Sequence, residues 1–296
     1  MKILLTGSNG MVGSNLSKEL SNSGHFVLAT GRNERRLPPA YLHDHFLYQS
    51  MDIRNKDEVI QTITGFNPDV IIHAAAMTQV DDCEQNKMIS YSTNVDGTDN
   101  LIQAAGEVNA RFCYISTDFV FSGENGPYVE NDETKPANYY GMTKELAEHH
   151  IMESGLHWTI IRTILLYGKA DQLNRTNFIY WVKNNLEAGK HINVVADQIR
   201  TPTYIPDLTA AIINSIEKGS KGIYHVSGKD VLSPYQMALA VANKLGLDDS
   251  FIHPVDASSF SQLGKRPLKT GFIIDKAIRD LNYAPKSFKE ALDLIF

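Results

Sequence analysis

Short apolar runs alternate with helical patterns along the first half of the chain. The predicted strands cover residues 2–6, 26–30, 46–52, 69–76, 112–117 and 158–163. The predicted helices cover residues 11–20, 57–64, about 87–108 and 137–154. The strands do not alternate strictly between apolar and polar residues, which is typical of parallel strands that are buried on both faces. The pattern therefore predicts an α/β fold built on a doubly wound parallel sheet of the Rossmann type.

The regular alternation of strand and helix ends near residue 165. Beyond it the pattern predicts helices at 176–189, from Pro206 and from Ser233, and short strands at 192–195, 202–205 and 222–226. No linker rich in proline, glycine or serine separates the two halves, so we expect them to join closely and to hold ligands in a cleft between them. The predicted domains are a dinucleotide-binding domain at 1–165 and a smaller, mainly substrate-binding lobe at 166–296 that is partly interleaved with the sheet.

Composition and charge narrow the classes of protein. With 296 residues, of which 43% are hydrophobic, the chain can bury a large core. The net charge of −6 gives no bias toward nucleic acid or an anionic membrane. The apolar run at the amino terminus is too short for a signal peptide, and no run of about 18 apolar residues follows it. We therefore expect a cytoplasmic protein that binds neither nucleic acid nor membrane.

The two cysteines, Cys83 and Cys113, do not have the spacing of metal ligands. Reduced thiols fit a cytoplasmic protein, although two cysteines could also pair as a disulfide. The sequence predicts no metal site.

Three glycines lie at the junction of the first predicted strand and the first predicted helix, spaced as G-x-x-G-x-x-G. The first permits a tight turn, the second lets the backbone approach a pyrophosphate, and the third lets the helix pack close to the sheet. The N-terminus of the helix then offers free N–H groups to the phosphates. An ordinary glycine-rich turn is the alternative, but the position after the first strand favours a dinucleotide site. The predicted contacts in this loop are Gly7, Asn9, Gly10, Met11, Val12 and Gly13.

The ends of the next strands indicate which dinucleotide is bound. An acid at the end of the second strand would favour NAD by binding the ribose 2′-hydroxyl, but Arg32 stands there. A guanidinium suits a 2′-phosphate, so the sequence predicts NADP, with NADPH preferred over NADH. Glu34 is close by, and Arg32 could instead be a solvated loop charge. Asp52 could bind the adenine amino group or cap a helix. The remaining predicted cofactor contacts are Ile53, Ala74, Ala75, Ala76 and Asn94.

A tyrosine and a lysine four positions apart carry the candidate chemistry. Tyr140 and Lys144 share one face of a predicted helix, and Thr117 ends a strand at the carboxyl edge of the sheet. An ammonium group near a phenol stabilises the phenolate, which lets the tyrosine exchange a proton with a substrate oxygen. The spacing alone is common on amphipathic helices. Together with the glycine loop and Thr117, it predicts a site of carbonyl reduction in which Tyr140 and Lys144 also contact the cofactor.

These motifs resemble the extended short-chain dehydrogenase/reductase superfamily over essentially the whole chain. The segments HAAAMTQVDDCE, YISTDFVFSG, YVENDETKPANYYGMTK and DQIRTPT are most similar to the dTDP-4-dehydrorhamnose reductase family. The resemblance implies a catalytic triad of Thr117, Tyr140 and Lys144, with Asn94 supporting the lysine through a water. The substrate-binding residues that it implies are Thr78, Val80, Thr117, Asn177 and Arg266.

Two positions depart from the family pattern. Leu165 stands where the family often has a tryptophan, and Arg200 stands where it often has a glycine. Both should lie near the substrate, so they are further candidate substrate residues and the identity of the sugar stays open. Arg200 could clamp a diphosphate, or it could pair at the surface with Asp197 and contribute little to binding.

The function that the resemblance implies is reduction of a nucleotide-linked 4-keto-6-deoxy sugar by NADPH, with a homodimer as one assembly open to the protein. Two alternatives remain. A nucleotide-sugar epimerase or dehydratase of the same superfamily would need tightly held NAD. A regulatory subunit without catalysis would keep the fold and bind NADP only as a structural ligand.

Overall fold

The computed structural model describes residues 1–169 and 177–296. The strands are β1 (Lys2–Thr6), β2 (Phe26–Gly31), β3 (Phe46–Ser50), β4 (Val70–His73), β5 (Arg111–Thr117), β6 (Trp158–Thr163), β7 (Leu166–Tyr167), β8 (Ile192–Val195), β9 (Thr203–Tyr204), β10 (Gly222–His225) and β11 (Ile252–Val255). The helices are α1 (Met11–Ser21), α2 (Lys56–Phe66), α3 (Val80–Gln85), α4 (Lys87–Tyr91), α5 (Gly97–Glu107), α6 (Tyr139–Glu153), α7 (Phe178–Glu187), α8 (Ile205–Glu217), α9 (Pro234–Leu245), α10 (Asp275–Leu281) and α11 (Phe288–Ile295).

The main sheet has seven parallel strands in the order β10-β6-β5-β4-β1-β2-β3. The strand order reverses between β1 and β4, and such sheets bind ligands outside the carboxyl ends of the strands at this point. The predicted doubly wound fold of the Rossmann type is confirmed. Two strands end earlier than predicted, β3 at Ser50 and β4 at His73, so residues 74–76 form an irregular segment beyond the sheet.

Apolar side chains cover both faces of the sheet, which explains why its strands lack strict alternation. One face packs against α1, α8 and α10. The other packs against α2, α5 and α6. The strand β10, which comes from the second half of the chain, pairs with β6 through the register Gly222↔Thr159. On the second face, Ala147 and Ile151 of α6 pack in one core with Phe112 and Tyr114 of β5, which places α6 over β5.

A third core lies apart from the sheet and is formed by residues after 165. It joins α7, α9 and α11 to the parallel pair β8 and β11. Leu165 lies between this core and the sheet, because its half-buried side chain packs against both. Its φ of 31° is uncommon for a residue with a side chain. The division of the chain at residue 165 remains our prediction.

The long helix predicted at about 87–108 is interrupted. The helix α4 continues into a π-helical turn at Ser92–Asp96, and α5 follows it. A single π turn inside an α-helix changes the direction of the side chains that follow, and such turns are frequent at functional sites. Asn94 lies in this turn.

Three further features bear on the predicted classes of protein. None of the described helices has the length and apolar character needed to cross a membrane. Within residues 1–169 and 177–296, no cluster of three or more histidine, cysteine or acidic side chains could hold a metal ion. Cys83 and Cys113 are both buried and unpaired, so the alternative of a disulfide between them is wrong.

Candidate active site

The glycine loop between β1 and α1 has room for backbone only. Gly7 has a φ of 70°, and a Cβ there would lie 2.6 Å from the backbone nitrogen of Ala75. A Cβ on Gly13 would lie 2.1 Å from the carbonyl oxygen of Gly7. Gly10 caps α1 without any side-chain hydrogen bond, so the first N–H groups of the helix stay available to an anion. The loop therefore fits the pyrophosphate of a dinucleotide.

A buried histidine, His73, is linked through Thr6 to the segment that packs against the glycine loop. The ring nitrogens of His73 lie 2.8 Å from Thr6 Oγ1 and 3.1 Å from Thr98 Oγ1. Thr6 Oγ1 also accepts a hydrogen bond of 3.3 Å from the backbone N–H of Ala75. These bonds hold Ala75, with Ala74 and Ala76 beside it, against the glycine loop, where the sequence predicts the cofactor.

The tip of β2 is tied to the glycine loop by Asn9. Its Nδ2 donates to the carbonyl oxygen of Glu34 at 3.1 Å, and its Oδ1 accepts from the backbone N–H of Arg36 at 2.9 Å. Arg32 lies exposed on this tip and makes no hydrogen bond or ion pair among the described residues. Its guanidinium is therefore free to meet a 2′-phosphate, while Met11 and Val12, at the start of α1, are half-buried beside the loop.

The residues after β3 differ in part from the prediction. The carboxylate of Asp52 accepts hydrogen bonds from Arg54, which lower its pKa, and the cap of α2 is Asn55. The helix-cap alternative for Asp52 is therefore wrong. Ile53 is buried, and a Cβ on Gly97 would lie 2.8 Å from its side chain. The Ile53 side chain therefore packs against the start of α5, and its carbonyl oxygen accepts a hydrogen bond of 2.9 Å from Asn100 Nδ2.

The start of α6 brings the predicted catalytic residues together. Asn138 caps the helix by accepting a hydrogen bond of 2.8 Å from the backbone N–H of Gly141. A Cβ on Gly141 would lie 2.0 Å from the carbonyl oxygen of Phe119, so only glycine lets the helix approach the end of β5 this closely. Tyr140 consequently lies close enough to Thr117 for the threonine side chain to act on the pKa of the phenol.

Lys144 lies one helical turn beyond Tyr140, but its ammonium group is directed at β5. Lys144 Nζ donates to the carbonyl oxygen of Ile115 at 2.8 Å and lies 3.9 Å from the ring centroid of Tyr114. Behind it on α6, Glu148 forms a buried ion pair with Arg162 at 2.6 Å. Sequence reasoning did not find this pair. Its one sequence signal is the four-residue step from Lys144 to Glu148, which puts both on one face of α6.

Burial dominates the proton affinities of this group. It raises the pKa of Tyr140 above its ordinary value, although the neighbouring Thr117 side chain acts in the opposite direction. Burial also lowers the pKa of Lys144 to about 7, against the attraction of Glu148. The expectation that the lysine lowers the pKa of Tyr140 is therefore not met in this structure, because desolvation favours the neutral phenol.

Asn94 has a different set of partners from the one implied by the family resemblance. Its Oδ1 accepts from the backbone N–H of Met77 at 2.8 Å, and its Nδ2 donates to the carbonyl oxygen of Met77 and to Thr143 Oγ1. The side chain thus holds the segment after β4 against α6. These are its direct bonds, and support of Lys144 by Asn94 through a water stays a prediction.

The predicted sugar-side residues are only partly brought together. Val80 packs with Tyr140 in a small apolar cluster, whereas Thr78 is exposed nearby. Asn177 Nδ2 donates to the carbonyl oxygen of Gly168 at 2.7 Å, while its buried Oδ1 has no partner among the described residues. Leu165 lies at the junction of the two cores described above. Val80 is therefore the predicted sugar residue that contacts the catalytic group directly.

Arg200 is buried, so the alternative of a surface pair with Asp197 is wrong. Its guanidinium donates to the carbonyl oxygens of Ile199, Pro267 and Leu268 and to Gln198 Oε1, and its Nε lies 3.9 Å from Asp118 Oδ2. These internal partners do not favour the predicted diphosphate clamp, because they occupy the donors that a phosphate would need.

Asp118 follows Thr117 directly and was missed by sequence reasoning. Its carboxylate accepts hydrogen bonds from Thr117 Oγ1 and Thr270 Oγ1. Burial raises the pKa of Asp118, and Arg200 opposes that shift. The signal available in the sequence was an acidic residue directly after Thr117, the predicted catalytic threonine.

Arg266 also has a protein partner. It forms a bidentate pair with Asp81 at the start of α3, with distances of 2.6 Å and 2.9 Å between the guanidinium nitrogens and the carboxylate oxygens. The pair lies next to Val80 in the chain, on the substrate side of the catalytic group. Arg266 is thus placed near the predicted sugar pocket, with its charge balanced by Asp81.

Comparison with known proteins identifies the family. A family model described as the RmlD substrate binding domain matches residues 1–296. The dTDP-4-dehydrorhamnose reductase of Aggregatibacter actinomycetemcomitans is 32% identical over an alignment of 307 residues, covering 98% of this chain and 97% of that protein. The methionine adenosyltransferase 2 subunit beta of Bos taurus is 31% identical over 263 residues, covering 87% of this chain and 76% of that protein.

A solved structure gives the same result. The crystal structure of dTDP-4-dehydrorhamnose reductase from Bacillus anthracis in complex with NADP has a TM-score of 0.83 and 29% identity, covering 100% of this chain and 98% of that chain. The resemblance seen in the sequence motifs is thereby confirmed, and the chain belongs to the family of the RmlD substrate binding domain.

Proposed function

We propose that the protein is an NADPH-dependent reductase that converts the C4 carbonyl of a nucleotide-linked 4-keto-6-deoxy sugar into a hydroxyl group. The observation that carries the proposal is the close approach of α6 to the end of β5 at Gly141, which brings Tyr140 beside Thr117 with Lys144 one turn behind. The dTDP-4-dehydrorhamnose reductases among the relatives support both the substrate class and the oxidoreductase class. The NADP in one related crystal structure supports the cofactor.

The residues of this chain have distinct roles in the proposed reaction. NADPH, bound at the glycine loop, supplies the hydride. Tyr140 donates its proton to the carbonyl oxygen, and burial favours this role because it keeps the phenol protonated until the substrate binds. Thr117 holds the same oxygen by a hydrogen bond. Lys144, whose pKa lies at about 7, then supplies the proton that converts the Tyr140 phenolate back to the phenol.

A second candidate function has a specific observation in its favour. Relatives named methionine adenosyltransferase 2 subunit beta match this chain nearly as well as the reductases do. A regulatory subunit would bind NADP without turnover. The complete set of Thr117, Tyr140 and Lys144 favours the reductase. An epimerase or dehydratase is disfavoured because Arg32 offers a cation where NAD would need an acid.

The experiment that tests the proposal follows the absorbance of NADPH with the purified protein and a panel of 4-keto-6-deoxy sugars linked to dTDP, UDP or GDP. The reductase consumes one NADPH for each sugar reduced. An epimerase inverts a stereocentre without net consumption of NADPH, and a dehydratase, tested on the parent sugars that keep their C4 and C6 hydroxyl groups, releases water without net consumption of NADPH. Tight NADP binding with no turnover of any sugar would favour the regulatory subunit and overturn the proposal.

The finer expectations extend the proposal. We infer a cytoplasmic location and a protein that does not bind nucleic acid, from the charge and composition. A homodimer remains a prediction, which sedimentation of the purified protein would test.

A further inference from the structure

The carboxylate of Asp81, at the start of α3, accepts several hydrogen bonds from a segment that is distant in the sequence. Asp81 Oδ1 accepts hydrogen bonds of 3.1 Å from the backbone N–H groups of Leu263 and Gly264. Arg266 adds its bidentate pair to the same carboxylate. The Arg266 guanidinium lowers the pKa of Asp81 to about 2, so the carboxylate is charged at neutral pH. Four donors separated from Asp81 by more than 180 positions therefore depend on one side chain.

The segment that Asp81 holds contacts Val80 and Asn138, which are both close to Tyr140. We call residues 263–268 the strap. Gly264 is buried in it, and a Cβ there would lie 2.4 Å from Val80 Cγ1. Asn138, the cap of α6, donates a hydrogen bond of 2.9 Å to the carbonyl oxygen of Lys265. Since Val80 packs against Tyr140, the strap covers one side of the catalytic group.

The outer end of the strap, at residues 263–266, is held by polar contacts, whereas Pro267 at its inner end is buried against Gly123. Leu263 is 63% exposed and Leu268 is 46% exposed, so neither anchors the segment in a core. The side chain of Asp81 is 40% exposed and that of Arg266 is 20% exposed. A partly solvated ion pair contributes little to stability and can exchange its partner for water. The Asp81–Arg266 pair therefore favours the closed position of the strap, and its bonds can be broken and replaced by bonds to water.

We propose that Asp81 is a positioning residue, which closes the strap over the sugar pocket through Arg266 and so helps to retain a nucleotide sugar. The proposal rests on the reductase function proposed above, because it assigns the substrate side of the same site. With the pair formed, the strap is a wall of the pocket beside Val80. With the pair open, the pocket mouth beside Val80 and Asn138 is accessible.

The kinetic test uses Asp81→Asn, Arg266→Gln and the double variant. The matched control is Asp82→Asn, which removes an exposed carboxylate whose side chain makes no described hydrogen bond or ion pair. Loss of the closed strap removes binding that is equal in the ground and transition states, so KM should rise about tenfold while kcat changes less than about twofold. The double variant should be no worse than Asp81→Asn alone, because that substitution already breaks the pair with Arg266, whereas Arg266→Gln keeps the Leu263 and Gly264 bonds. NADPH affinity and the control should stay unchanged.

The rate of proteolysis reports whether the strap is closed, and its measurement does not require turnover of a sugar. Trypsin can cut after Lys265, whose carbonyl oxygen is bound to Asn138, whereas the following Arg266–Pro267 bond resists it. Asp81→Asn should be cut at this bond about tenfold faster than the wild type and Asp82→Asn. Saturating dTDP, used as the probe, should slow cleavage of the wild type.

Two results would overturn the proposal: equal cleavage rates for Asp81→Asn and the wild type, or additive losses in the double variant. If no sugar is reduced at all, the cleavage rates and a dTDP titration still decide the role of Asp81. A failure of the reductase function is therefore distinguishable from a failure of the strap.

Discussion

The titration of Lys144 gives a quantitative test of how strongly the catalytic group is buried. The side chain is 2% exposed, with its ammonium group between the Ile115 carbonyl oxygen and the Tyr114 ring. Burial lowers its pKa to about 7 from 10.5. Lys144→Met keeps a chain of similar length and removes the ionisable amine, so it isolates the effect of that group on the stability of the folded protein.

The sign of the effect follows from the lower pKa in the folded state. Near pH 9 the folded protein holds Lys144 neutral, while the unfolded chain keeps it protonated. The contribution of Lys144 to stability is therefore complete above its unfolded pKa of 10.5 and is lost as the pH falls through about 7. Integrating the difference in bound protons from about pH 7 to about pH 9 gives a gain of about 2 kcal/mol in the free energy of unfolding.

The assay is urea unfolding of the protein without cofactor at these two pH values. The wild type should gain about 2 kcal/mol more than Lys144→Met between them. Lys18→Met, which changes an exposed lysine on α1, serves as the control and should behave like the wild type. Equal gains in the wild type and Lys144→Met would refute the argument that the ammonium group is desolvated on β5.

Three further predictions concern the site. Tyr140→Phe should lower kcat by about 10²–10⁴ with little change in NADPH affinity, since it removes the proton donor alone; turnover like that of the wild type would contradict its role. Arg32→Ala should reduce the preference for NADPH over NADH by about tenfold in a direct titration, and tighter binding of NADH by the wild type would refute it. Arg200→Ala should lower the free energy of unfolding by about 3–5 kcal/mol, because Asp118 would remain buried without its cation. Urea unfolding measures this loss, with Arg200→Lys as the control. A loss below about 1 kcal/mol would contradict the structural role and favour a role of Arg200 in substrate binding.

The parts of the site that could be predicted from the sequence are those fixed by neighbouring residues. The spacing of Gly7 and Gly13 determines where a tight turn and a helix start can follow β1. The four-residue step between Tyr140 and Lys144 determines that they share a helical face. Both arrangements depend on backbone geometry within one or two turns, so a pattern of residues is enough to predict them.

The parts that were wrong or missed depend on contacts between distant segments. Arg266 and Asp81 are 185 positions apart, and Asn94 meets Thr143 across 49 positions. Hydrophobic periodicity has no information about such partners. The pKa of Tyr140 is a similar case, because the i, i+4 spacing puts Lys144 on the same face but only the packing against β5 turns its ammonium group toward Ile115. Desolvation then outweighs the charge effect that the spacing suggests.

Two arginines that the sequence analysis names as candidate substrate residues, Arg200 and Arg266, hold the same strap. Arg266 binds Asp81 near the start of the strap, and Arg200 binds the carbonyl oxygens of Pro267 and Leu268 at its end. The Arg200 contacts are buried, whereas the Asp81 pair is partly exposed, so the two ends have different resistance to opening. The resemblance of the DQIRTPT segment implies that glycine is frequent at the position of Arg200, so in this chain Arg200 is an additional anchor at the inner end of the strap. In the role proposed for Asp81, Arg200 fixes the inner end of the strap, and Asp81 decides whether the outer end is closed.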